Sequence, residues 1–128
     1  MKRILLACFL VAATCTVAPI QRASAQVTHV SAADFTTQVN LLDSYIAAGN
    51  MTAANTTWLT VHNMMISILG YSKNSIMTAA TPADKTTYTN ILTTQRTIYS
   101  AVWALKTDLA TNRTALHTKL GEFDATIY

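Results

Sequence analysis

Between Tyr88 and Ile127 the large apolar residues keep to one helical face. Tyr88, Ile91, Leu92, Ile98, Tyr99, Val102, Leu105, Leu109, Leu116, Leu120, Phe123 and Ile127 occupy three neighbouring positions of a single seven-residue frame, and neither glycine nor proline lies between Ala83 and Lys119. Apolar residues at this period mark an amphipathic helix, whose stripe has to be covered by other helices. The polar run Thr111-Asn112-Arg113 stands in core-facing phase, where a turn could sit. A turn normally resets the phase, and here the frame continues. The sequence therefore favours one long helix over 82–127, bent at that run, over two helices broken at 111–113.

Two start signals have nearly the same form. Ser31-Ala32-Ala33-Asp34 and Thr81-Pro82-Ala83-Asp84 each place a hydroxyl N-cap three residues before an acid, and the second adds proline at the first helical position. Helices are expected from about residues 32 and 82. Phe35, Val39, Leu42 and Ile46 form the first stripe, which ends at Gly49-Asn50, a pair suited to closing one helix and capping the next. The second stripe holds Met51, Ala54, Trp58, Val61, Met65 and Ile68. It either stops at Gly70 or carries the glycine inside a helix running toward residue 80, since the phase continues to Ile76. Trp58 is expected inside and Trp103 on the flank of its stripe. No segment alternates apolar and polar residues as a strand does. The fold class is all-α, an antiparallel bundle of three to four helices.

The lengths create a mismatch. A continuous 82–127 helix would extend about 69 Å, against ~27 Å for the first helix and ~30 Å for a second one stopping at Gly70. Leu116, Leu120, Phe123 and Ile127 would then be left as an apolar patch that soluble monomers rarely tolerate, and pairing of two chains as a homodimer would cover it. A turn at 111–113 would instead fold the same residues inward and close a monomer.

Residues 1–25 read as a cleavable secretory leader: Lys2 and Arg3, an apolar run from Ile4, and Ala23-Ser24-Ala25 before the expected cut. The run is too short to span a membrane, which takes about 20 residues, so no stable membrane anchor is expected after cleavage. The leader looks bacterial, and the expected location is the periplasm or the medium. The remaining chain, 26–128, is expected to form a single domain. It has six basic and six acidic residues once Lys2, Arg3 and Arg22 are removed, and both cysteines, Cys8 and Cys15, leave with the leader. A net charge of zero gives no support for nucleic acid as a partner. Twenty threonines outnumber the charged residues and fall mostly outside the stripes, as a hydroxyl-bearing surface.

The same inventory argues against catalysis. One glutamate and five aspartates, none paired on a stripe, do not supply paired carboxylates or a di-iron site, and no Gly-x-Ser-x-Gly turn or glycine-rich phosphate loop is present. Three histidines remain. His29 stands near the start of the expected mature chain, one place too late for an amino-terminal copper chelate. His62 shares a stripe with Trp58, Met65 and Leu69, and imidazole with thioether is a soft set suited to copper, although methionine and tryptophan at such spacing usually fill a core.

His117 lies in Arg113-Thr114-Ala115-Leu116-His117-Thr118-Lys119, which resembles the last helix of the soluble periplasmic four-helix cytochromes b. That resemblance, over under a tenth of the chain, implies His117 as a haem ligand. It departs at the second ligand, a methionine in the first helix of those proteins, where this chain has Phe35 and no methionine before Met51. Leu92-Thr93-Thr94-Gln95 is similar to, but one residue shorter than, the Leu-Thr-x-x-Gln signature of helical periplasmic chaperones. The expected function is that of a non-enzymatic exported bundle acting through protein–protein interaction or self-association. The alternative is a haem- or copper-binding bundle using His62 with Met65, or His117.

Overall fold

The computed structural model describes residues 28–128; the expected leader and both cysteines lie outside the described residues. Helix α1, Ala32–Ala47, starts where Ser31 accepts the Asp34 N–H at 3.1 Å and donates its own hydroxyl to the Asp34 carboxylate at 2.7 Å. It ends at Gly49, whose φ of +71° is the left-handed conformation that favours glycine. The reversal lets the Asn50 N–H reach the Tyr45 carbonyl at 2.9 Å. Asn50 then caps α2, Met51–Thr78, by accepting the Ala53 N–H. Gly70 lies inside α2, so the helix follows the continued apolar phase past it. Helix α3, Pro82–Leu105, has proline in its first turn and a Thr81 cap built like that of Ser31.

Residues 82–127 are not one helix. Helix α3 gives way to a 3-10 turn at Lys106–Asp108, and a separate helix α4 covers Arg113–Asp124. Side chains supply the backbone with alternative partners at the break. The Asn112 amide donates to the Leu105 carbonyl at 2.9 Å, and Asp108 accepts both the N–H and the hydroxyl of Thr111 at 3.0 and 2.8 Å. These contacts hold the Asp108 carboxyl below its ordinary range, the Thr111 N–H contributing most. Arg113 then grips Asp43 of α1 through two 2.8 Å hydrogen bonds.

Helix α4 returns along α3 and packs on α1, so neighbouring pairs α1/α2, α2/α3, α3/α4 and α4/α1 form a closed antiparallel four-helix bundle. Leu116, Leu120 and Phe123 are buried, and Ile127 packs against the core. The patch expected to drive self-association is thus covered within one chain. Phe35 and Phe123 meet across the core with ring centroids 5.6 Å apart. One polar pair lies within it: Ser72 donates to Gln95 Oε1 at 2.7 Å, and Gln95 Nε2 reaches the Thr126 carbonyl at 3.3 Å. As expected, Trp58 is buried and Trp103 is 45% exposed.

Candidate interaction surface

The threonines of α3 do not present free hydroxyl donors. Thr86, Thr87, Thr89, Thr93, Thr94 and Thr97 each donate to the carbonyl four residues earlier, at 2.7 to 3.1 Å. What these six side chains offer solvent is methyl groups and oxygen lone pairs.

A different face carries exposed apolar bulk. Leu59 is 60% exposed and Ile66 46%, seven residues apart on α2, with His62 between them at the i+3 and i+4 spacings of helical neighbours. His62 points toward α3. Its Nε2 and the Tyr99 hydroxyl lie 2.9 Å apart, and its ring sits 5.3 Å from that of Trp103. Trp103 stacks against Tyr99 at 6.2 Å and carries the Lys106 ammonium 3.8 Å above its ring. The cation holds the indole in place by attraction to its negative face. Trp58 completes the row at 6.0 Å from His62. The result is a strip of aromatic and aliphatic side chains on two packed helices, with polar groups at the imidazole, the Tyr99 hydroxyl and the Lys106 rim.

His62 and Met65 do not converge. Residues three apart on a helix differ in direction by about 60°, and that angle sends Met65 into the core at 0% exposure while His62 stays at the α2/α3 boundary. His117 is exposed on α4 at a cleft of about 110 Å³ against α1, shared with Asn40 and Asp124. Cofactor pockets run about 300–1,000 Å³, so the cleft is small for haem, and Phe35, at the place of the cytochromes' methionine, is fully buried. His29 contacts Tyr71 edge-on at 4.8 Å, and its Nε2 lies 2.9 Å from the Tyr128 carbonyl oxygen. Among the described residues, no group of three or more His, Cys, Asp or Glu is placed to hold a metal ion.

Comparison with known proteins finds no matching family model, no similar curated protein and no similar solved structure. No helix among the described residues is long and apolar enough to cross a membrane.

Sequence reasoning singled out His62 and missed its partners. Tyr99 was legible as part of the α3 stripe and Trp103 as its flank; only the antiparallel packing of α2 on α3 brings them to the imidazole. The exposure of Leu59 and Ile66 had a signal as well, since both fall off the α2 stripe.

Proposed function

We propose that this chain is an exported, non-enzymatic bundle that binds another macromolecule through the α2/α3 strip around His62 and Trp103. The observation that carries the reading is the exposure of Leu59, Ile66 and Trp103 beside His62, on helices that hold them in place. Interface centres are enriched in such aromatic anchors with polar groups at the rim, and exposed apolar surface of this kind marks contact sites. Export to the bacterial periplasm or medium is part of the proposal, supported by the layout of residues 1–25. A partner made of protein fits the strip better than nucleic acid, because a mature chain starting at Gln26 has no net charge.

Photo-crosslinking in the native host tests this directly. A crosslinking residue at position 59 or 66 should give a discrete adduct, and the same residue at Thr118 of α4 should not. An adduct containing a second copy of the chain would assign the strip to self-association. Equal labelling at all three positions, or none at 59 and 66, would remove the strip as the binding surface.

A further inference from the structure

We propose that a second surface, the groove between the end of α2 and the start of α3, binds a neutral saccharide. The groove has a volume of about 360 Å³ and is lined by Tyr71, Asn74, Ser75, Thr78, Asp84 and Tyr88 together with Ala79 and Ala80. Pockets for small ligands run from about 300 Å³ upward and combine apolar or aromatic walls with a few convergent polar groups. Both features are present here, on residues outside the His62 strip.

The hydrogen-bonding capacity of the walls selects the ligand. Ser75 and Thr78 already donate their hydroxyl protons, to the carbonyls of Tyr71 and Asn74 at 3.0 Å each, and so offer the groove only lone pairs. Asp84 accepts the Thr81 hydroxyl on one carboxylate oxygen and offers the other as an acceptor. Among the described residues, no side chain or backbone group bonds the Asn74 amide or the hydroxyls of Tyr71 and Tyr88. The walls thus hold an excess of acceptors, a few uncommitted groups that both donate and accept, and no lysine, arginine or histidine. An anion would meet Asp84 with no cation to offset it. A polyhydroxylated neutral molecule brings the missing O–H donors and presents C–H surface to the tyrosine rings.

The tyrosines are held from behind. Tyr128 stacks on Tyr88 at 5.4 Å with 22° between the rings and lies 5.5 Å from Tyr71, while its hydroxyl donates to Ser75 at 2.8 Å. One residue thereby fixes both rings and one acceptor of the groove before any ligand arrives, which lowers the ordering cost of binding.

Amide chemical shifts of the labelled chain, starting at Gln26, test the assignment against maltotriose, cellotriose and chitotriose, with tetramethylammonium and inorganic phosphate as the cationic and anionic probes. At least one trisaccharide should shift the amides of 71–88 saturably, with affinity falling tenfold or more in Asn74→Ala and several-fold in Tyr88→Phe, and unchanged in Trp103→Ala. Tyr88→Phe keeps the ring and its stacking, so it serves if Asn74→Ala disturbs the fold. The proposal is overturned if none of the three sugars gives saturable shifts, if tetramethylammonium or phosphate saturates the same amides at equal or lower concentration, or if the sugar shifts persist at full affinity in both groove variants.

Discussion

Arg113 and Asp43 form a two-pronged ion pair, 2.8 Å at each contact, that ties the first turn of α4 to α1. The Arg113 hydrogen bonds hold the Asp43 carboxyl below its ordinary value of 3.8, helped by the positive field of Arg113 and His117 and opposed by partial burial. A carboxyl with a depressed folded pKa adds stability above its unfolded pKa and loses it as pH falls through the folded one. Asp43→Asn should therefore destabilise the chain modestly at pH 7, the pair being partly solvent-exposed, and the difference from wild type should shrink as pH falls below the ordinary carboxylate range. Thermal melts across pH 2–7 check this. A gap that stays constant down to pH 2 would mean that Asp43 acts through packing.

Trp58 and Trp103 differ in exposure, 7% against 45%, although both touch His62. Trp58→Ala should cost about 3–5 kcal/mol, as large buried truncations do. Trp103→Ala should cost less, because nearly half of the side chain is already exposed. Urea denaturation of the two variants measures both; similar losses would contradict the placement of α2 in the core.

Ser72 and Gln95 should behave as a unit. Ser72→Ala leaves Gln95 Oε1 buried without its donor, a loss of about 1–3 kcal/mol. In Ser72→Ala/Gln95→Met both polar partners are gone and part of that stability should return, giving a coupling well above the scatter of independent sites, about 0.5 kcal/mol. Strict additivity in a double-mutant cycle would show that the pair is not formed.

The threonines of α3 lower its helicity. Replacing Thr89, Thr93 and Thr97 together by alanine removes three exposed β-branched residues that turn their hydroxyls on the helix backbone. With roughly 0.5 kcal/mol expected per site, the triple variant should gain about 1–1.5 kcal/mol and melt several degrees higher. Unchanged or lower stability would mean that these side chains make contacts beyond the helix.

Most of the helices were legible because their ends carry local chemistry. Ser31 and Thr81 cap as their spacing to Asp34 and Asp84 predicts, and Gly49-Asn50 both ends α1 and starts α2. The break after α3 was hidden by an accident of length. The connection 106–112 spans seven residues, one period of the apolar frame, and its buried Leu109 stands on a frame position, so the phase passes through the reversal unchanged. The signal that was available lay in side chains: Asp108, Thr111 and Asn112 are residues that compete for backbone hydrogen bonds. Of the candidate surfaces, the sequence marked His62 but attached it to Met65, because a stripe drawn along one helix ignores the angle between neighbours on it. The groove between Tyr71 and Tyr88 was not legible at all, since it requires two helix ends and the tail carrying Tyr128 to meet.

The return of α4 along α3 closes the bundle. It puts Phe123 against Phe35, at 5.6 Å between rings. In a continuous helix Phe123 would instead stand about 27 Å beyond Leu105, out of reach of α1 in its own chain. Isotope-filtered nuclear Overhauser spectra on a mixture of labelled and unlabelled chains separate these arrangements. A Phe35–Phe123 contact within one chain is the predicted result; a contact only between chains, or none, would contradict it.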